Sequence, residues 1–310
     1  MKTIGVTGGS GFIGLYVVET LISKGYKVII FDRQKKKHDI QADIFLGDVR
    51  NETDMMEFAA HCDGIIHLAA CLGTQETIQN PKPAADTNIF GGINFLEAVT
   101  RYKIPGVNIC VGNHFMNNTY SITKTTVERL VYMYNSNRKS QVNNVRVVNA
   151  YGPRQLAAAP FGPGKVRKIF PAFICRALSS MPIEVYGNGG QISDCVYVSD
   201  VANVLVKALE CANQNMIFDC PIEVGLPEHT TVNNVAELVN FHCNSQIPIK
   251  HLPMRPGETE NSVVTANYTT LKLIDIDVGN FISLNEGIKR TVQYFKNTKG
   301  SEWFIPKSNV

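Results

Sequence analysis

Along the first 150 residues, short apolar runs alternate with longer segments whose apolar positions recur at intervals of three and four. Thr3–Val6, Lys27–Phe31, Asp43–Leu46, Gly64–Leu68, Gly106–Val111 and Asn144–Val148 read as strands, because they are short, rich in β-branched and aromatic residues and bounded by polar residues or glycine. Phe12–Lys24, Glu52–Ala60, Asn88–Tyr102 and Tyr120–Asn137 carry the helical period instead. Strand and helix in alternation predict a parallel sheet with helices on both faces, since parallel neighbours need crossover connections.

After residue 150 the rhythm breaks. A loop rich in proline, glycine and alanine, "YGPRQLAAAPFGPGK", leads to a helix near Val166–Leu178, and a strand–helix–strand unit over Cys195–Asp219 is expected to return to the sheet. The expected organisation is a sheet-bearing domain over 1–150, joined by 195–219, and a smaller α/β lobe formed by most of 151–310. Composition agrees with a soluble chain that buries a large core: 310 residues, 44% hydrophobic and 18% charged. A net charge of +3 is too slight to imply nucleic acid as a partner, so any anion site must come from local clusters. No apolar run approaches the roughly 18–20 residues that span a bilayer, and strand-like sequence begins at Thr3 with no room for a signal peptide. No membrane contact and a cytoplasmic location are therefore expected. The eight cysteines include no CxxC pair, and Cys110, Cys175 and Cys195 sit inside apolar runs, so reduced core thiols are expected and no metal site.

The candidate chemistry begins at "TGGSGFIG", residues 7–14, between the first strand and the first helix. Its glycines, Gly8, Gly11 and Gly14, suit a tight turn whose backbone approaches a pyrophosphate at the positive end of the helix. Asp32 closes the second strand in "VIIFDR", 18 residues past Gly14, where a carboxylate accepts hydrogen bonds from ribose hydroxyls and repels a 2′-phosphate. NAD is the cofactor this predicts, on a Rossmann-type doubly wound parallel sheet. Arg33 and the run Lys35–Lys37 pull toward NADP, unless they form a solvated loop. Asp48, in "GDVR", is placed to meet the adenine. In "VGNHFMNNTYSITK" Tyr120 precedes Lys124 by about one helical turn, which puts both on one face. A tyrosine of pKa about 10 is a poor base at neutral pH, and a neighbouring ammonium, joined by a positive nicotinamide ring, favours its phenolate. Asn118 and Thr119 read as capping residues for that helix.

These segments, with "HLAA" (67–70) and "TNIFGGINFLEA" (87–98), resemble the extended short-chain dehydrogenase/reductase family. "RVVNAYGPRQ", "PIEVYGNGGQ", "VYVSDVA", "RPGE" and "SLNEGIKRTVQYF" are similar to the later landmarks of its nucleotide-sugar epimerase/dehydratase branch, so the match runs through nearly the whole chain. The resemblance implies an NAD site of Gly8, Gly11, Phe12, Ile13 and Gly14, then Asp32 and Arg33, then Asp48 and Val49, then Leu68, Ala69 and Ala70, closed by Tyr120 and Lys124. It implies a nucleoside-diphosphate sugar in the C-terminal lobe, with Tyr120 as base, Lys124 on the nicotinamide ribose, and a homodimer built on two helices per subunit. Phe95, Val99, Val127, Leu130, Val131 and Tyr134 are the apolar positions those helices offer.

Two departures matter. Relatives place a serine or threonine at the end of the fifth strand, whereas this chain reads Val111, Gly112, Asn113, with only six residues between Asn113 and Tyr120. Asn113, His114 or Thr74 is left to donate to the reacting oxygen. No aspartate or glutamate occurs between residues 104 and 127, which argues against 4,6-dehydration and favours epimerisation, UDP-sugar C4 inversion being the expected case. The second departure is Ser193, where relatives carry an arginine for the diphosphate. By the resemblance Asn149 and Arg255 reach the nucleotide, and Arg154, Lys165, Arg167 and Lys168 add charge, guanidinium being the better fork for phosphate. A nucleotide-sugar reductase or dehydratase, and a non-catalytic NAD-binding regulator on the same fold, are the competing readings.

Overall fold

Six segments predicted as strands lie side by side in one parallel sheet: β1 (Thr3–Thr7), β2 (Lys27–Asp32), β3 (Asp43–Leu46), β4 (Gly64–His67), β5 (Gly106–Val111) and β6 (Val142–Val147). The computed structural model describes residues 2–35 and 40–298. Strand order is β3-β2-β1-β4-β5-β6, completed beyond β6 by β11 (Ile222–Val224), and every neighbouring pair is parallel. The chain winds outward from β1 in one direction and from β4 in the other. Connections leaving β1 and β4 therefore diverge, and a crevice opens at the carboxyl ends of those two strands.

Each face of the sheet has its own core. Helices α1 (Phe12–Ser23) and α7 (Val198–Asn213) cover one, where Val17, Val18 and Leu21 join Val201, Val204, Leu205 and Ala208. Helices α2 (Glu52–Ala59), α4 (Gly91–Tyr102) and α5 (Thr119–Arg138) cover the other, packing Phe58, Phe95, Leu96, Val99 and Val131 beside Phe31. Of the six apolar positions that these helices were expected to offer, Phe95, Val99, Val127, Val131 and Tyr134 are buried. Their period is that of a helix lying on a sheet, and the sheet takes that face.

The helix expected over Asn88–Tyr102 is two structures. A short turn, α3 (Lys82–Ala84), runs into a π-helical turn over Ala85–Phe90, in which the Gly91 N–H reaches back five residues to the Asp86 carbonyl, and α4 follows. Within that turn the Asn88 side chain accepts the Cys71 N–H at 2.7 Å and donates to Thr123 Oγ1 at 2.9 Å. α5 starts as expected from the sequence, with the Asn118 side chain accepting the Ser121 N–H at 2.9 Å.

The remaining strands are short. β7 (Asn149–Tyr151) pairs with β10 (Cys195–Tyr197), β8 (Ile183–Tyr186) with β13 (Ile249–Leu252), and β9 (Ile192–Ser193) lies between β12 (Thr230–Thr231) and β14 (Val263–Val264). Helices α6 (Ile169–Leu178), α8 (Val232–Cys243) and α9 (Leu284–Asn297) gather Phe170, Phe173, Val239, Ile288 and Phe295 into a third core. The strand at Cys195 thus belongs to a two-stranded ladder, and the strand that reaches the large sheet starts past Asp219. Asn143 holds the connecting loop by donating to the Met216 carbonyl at 3.0 Å and accepting the Phe218 N–H at 3.2 Å. Pro221 then has no N–H to give a ladder, so pairing starts at Ile222.

Candidate active site and cofactor cleft

One cleft of about 640 Å³ opens at the β1/β4 divide and continues along the start of α6. At its cofactor end the glycine turn folds beneath α1. The Gly8 N–H donates to the Phe31 carbonyl at 2.8 Å and the Gly11 N–H to the Gly8 carbonyl at 2.9 Å. Gly8 has φ +68°, and a Cβ there would stand 2.9 Å from the Ala69 nitrogen; a Cβ on Gly14 would stand 2.7 Å from the Gly9 Cα. α1 has Gly11 as its N-cap, no side-chain cap and no acidic residue in its first turn, so its positive end faces the cleft uncompensated. Such a helix end is suited to receive an anion such as a pyrophosphate. Asp32 lines the same end, accepting the Arg33 N–H at 2.8 Å and the Ser10 N–H at 3.3 Å. A carboxylate so placed retains lone pairs for ribose hydroxyls. Arg33 lines the cleft as well, Lys35 is solvent-exposed, and Lys36 and Lys37 lie outside the described residues.

Phe12, Ile13, Val49, Leu68, Ala69 and Ala70 all line this end. Asp48 does not: its carboxylate is held by Arg50 at 3.0 and 3.1 Å, which also keeps it well below the usual carboxylate range. The loop after β4 is fixed by Thr7, whose Oγ1 accepts the Leu68 and Ala69 N–H groups at 3.1 and 3.2 Å and meets His67 Nδ1 at 2.8 Å. Burial, with Lys124 nearby, pushes the His67 pKa down to about 3, so that imidazole stays neutral.

Tyr120 and Lys124 line the middle of the cleft from α5. Lys124 is only 2% exposed, and among the described residues no group accepts a hydrogen bond from its ammonium. A buried, unanswered ammonium facing an open cleft fits the hydroxyls of a nicotinamide ribose. Burial lowers the Lys124 pKa, while Cys110 and Glu128 raise it. Tyr120 is raised by burial, with Cys110 and Cys71 adding to the effect. In the protein alone burial sets the direction, and the lowering expected of Lys124 together with a nicotinamide ring needs the positive charge that comes with the cofactor.

Asn113 lies on the cleft wall, its Nδ2 3.7 Å from Met116 Sδ, and Thr74 faces it from the loop after β4. His114 is outside the lining and turns Nδ1 to the Gly112 carbonyl at 3.1 Å, which removes it as a donor. At the far end are Asn149, Lys168 and Arg255. Lys168 is the N-cap of α6, a second helix whose first turn carries neither acid nor side-chain cap. Arg154 is not there: its guanidinium pairs with Glu19 at 2.9 and 2.6 Å and stacks 4.1 Å from the Tyr16 ring centroid. α1 offers that carboxylate and ring, and they capture the arginine outside the cleft.

The sequence reading passed over Tyr186 and Glu258. Tyr186 has the Arg167 and Arg255 guanidinium carbons 5.2 and 4.9 Å from its ring centroid. Arg167 also bonds Glu184 at 2.9 Å, and Arg255 bonds Glu258. The three-residue spacing of Arg255 and Glu258 was a readable signal; nothing in the pattern marked Tyr186.

A doubly wound sheet, an open glycine turn and a tyrosine–lysine pair on one cleft wall define a dinucleotide-dependent protein of the short-chain dehydrogenase/reductase class, in its extended form. More narrowly, the chain belongs to the NAD-dependent epimerase/dehydratase family, whose profile matches residues 4–220. It is 29% identical to a putative UDP-glucose 4-epimerase of Methanocaldococcus jannaschii over 315 residues, covering 94% of this chain and 98% of that one. The UDP-glucose 4-epimerase of Thermotoga maritima, solved with UDP-glucose, superposes with TM-score 0.81 at 27% identity, covering 96% of this chain and 99% of that one. That of Thermus thermophilus, solved with NAD, gives 0.78 at 25%, covering 95% and 99%.

Calorimetric titration of both dinucleotides tests the role of Asp32. Wild type is expected to bind NAD at least ~10-fold more tightly than NADP, and Asp32→Ala to narrow that ratio by weakening NAD. Equal or tighter NADP binding by wild type would transfer the ribose site to Arg33.

Proposed function

We propose that this protein is an NAD-dependent UDP-sugar 4-epimerase. The observation that carries the reading is the pair Tyr120 and Lys124 facing one open cleft, with Lys124 buried and unpartnered. The fold-wide likeness to UDP-glucose 4-epimerases supports the substrate class. On this reading Gly8, Gly11, Gly14 and the start of α1 hold the pyrophosphate of NAD, Asp32 its adenosine ribose, and Lys124 its nicotinamide ribose. Bound NAD supplies the hydride acceptor, the returning hydride and the positive charge of its oxidised ring. Tyr120 takes the proton from the sugar hydroxyl as that carbon is oxidised, and returns it when the carbon is reduced on its other face. Asn113 donates to the same oxygen in place of a serine. Lys168, Asn149 and Arg255, with the N-terminus of α6, receive the diphosphate.

Dehydration needs a carboxylate pair beside the tyrosine. The carboxylates lining the cleft are Asp32, Glu76, Glu184 and Glu258, and α5 and the strand end before it contribute none of them. A location in the cytoplasm fits eight free cysteines and the lack, among the described residues, of any helix long and apolar enough to cross a membrane.

Incubation with UDP-glucose and UDP-galactose, followed by NMR, is expected to give the same mixture from either side with no net consumption of NAD. Tyr120→Phe is expected to keep NAD binding and lose nearly all turnover, because the ring still packs and carries no proton acceptor. The Tyr120 phenol, raised by burial, holds its proton through neutral pH until the cleft fills, so wild-type kcat/KM is expected to rise toward alkaline pH. Asn113→Ala should lower kcat about 10- to 1000-fold with little change in KM, the range for one donor to a developing oxyanion. Near-normal turnover by Tyr120→Phe would remove the mechanism, and net NADH formation would replace epimerisation by oxidation.

The protein is further proposed to be a homodimer. Its support is a different set of residues from those the sequence suggested: Phe90, at the end of the π-helical turn, and Ile122 and Met133 of α5 stand in solvent. Light scattering at micromolar concentration is expected to give twice the chain mass for wild type and a single chain for Ile122→Glu. A monomeric wild type would refute it.

A further inference from the structure

Beneath Lys124, three charged side chains join across elements. Glu128, one turn further along α5 and 6% exposed at its side chain, pairs with Arg146 of β6 at 2.5 Å, and Arg146 pairs with Glu223 of β11 at 2.8 Å. Glu223 accepts the Asn267 N–H at 2.8 Å through its other oxygen, so the cluster ends in the segment after β14. The backbone beside it is fixed too: Asn144 donates to the Glu128 carbonyl at 2.9 Å and accepts from Asn108 at 2.9 Å.

The arrangement is more than an ion pair. Arg146 supplies one positive charge against two carboxylates, which leaves one negative charge over. The other titratable groups facing Lys124 carry none: burial holds His67 of β4 neutral, Cys110 of β5 as a thiol and Tyr120 of α5 as a phenol. Lys124 is therefore the cation that balances the cluster. Two positive and two negative charges then share a region largely shut off from water, where an unmatched charge is costly.

We infer that Glu128, Arg146 and Glu223 form a positioning and charge-setting support for Lys124, whose excess negative charge keeps that lysine an ammonium for the ribose of NAD. The inference rests on Lys124 being a cofactor contact. Glu128 acts directly, from the next turn; Glu223 acts through Arg146. The net charge of the support, not its mere presence, sets the pH at which the ammonium is lost.

The sign follows. Burial lowers the Lys124 pKa and Cys110 and Glu128 oppose that; because burial keeps Cys110 a neutral thiol, Glu128 is the standing charge, so removing a carboxylate lowers the Lys124 pKa further and removing the guanidinium raises it. NAD affinity, which needs the charged form, falls as pH rises through that pKa. Calorimetric titration of NAD over about pH 7 to 11 reads the midpoint of this fall without any sugar present. Glu128→Gln and Glu223→Gln are each expected to move the midpoint down, by about one unit for Glu128, and Arg146→Gln to move it up. A merely structural cluster moves all three the same way or not at all, and either result overturns the inference. Glu223→Gln, at the more exposed end, carries the test if Glu128→Gln fails to fold. Opposite shifts in a protein that binds NAD but does not invert UDP-sugars would keep this support and discard the reaction.

Discussion

Lys124 carries its ammonium on a cleft wall where it is only 2% exposed, and withdrawing a charge from water costs several kcal/mol per ion even after a protein relaxes. Much of the surrounding architecture can be traced to meeting that cost. The sheet surface under α5 is an inner face of a parallel sheet, where apolar residues are the rule. Here it bears Asn108, Cys110, Asn144 and Arg146 instead. The π-helical turn and Asn88 tie the loop after β4 to Thr123, the residue before Lys124, so the same turn of α5 is held from above and below.

The far half of the cleft follows another electrostatic rule. Arg167 and Arg255 are each already paired with a glutamate of the same lobe. On the proposed reading, a diphosphate arriving there meets guanidinium groups gathered around Tyr186 and each paired with a glutamate. Lys168 and the open end of α6 are what give that wall its excess of positive charge. With Ser193 where relatives have an arginine, attraction is distributed over backbone N–H groups and one lysine. Such a wall can hold an anion firmly without confining it to a single fork.

How far the sequence revealed all this depends on the range over which each signal acts. The strands and helices of the first half lay within one to three residues of their observed limits, because burial on both faces of a parallel sheet imposes period and composition locally. The glycine turn, Asp32, Tyr120 and Lys124 were legible for the same reason: each depends on a turn or a helix of its own. Arg154 was misplaced because its partner, Glu19, is remote in sequence, and Asp48 because a two-residue hook to Arg50 outweighs a place on a cofactor wall. Most of the apolar positions noted on α5 are ones the sheet takes, whereas Ile122 and Met133 are left exposed. The triad under Lys124 joins α5, β6 and β11, and no local pattern announces it.

The turn over Ala85–Phe90 has a consequence for how one stretch of chain serves two surroundings. A π-helical turn inserts one residue, which rotates everything after it by about 100° relative to an uninterrupted α-helix. Within the turn, Thr87 lines the cleft and Asn88 holds the loop after β4; downstream, Phe95, Leu96 and Val99 look toward the sheet. Without the added residue, one of those two alignments would have to give way. The turn works as a phase adjuster, letting the helix be tuned for chemistry at one end and for packing at the other.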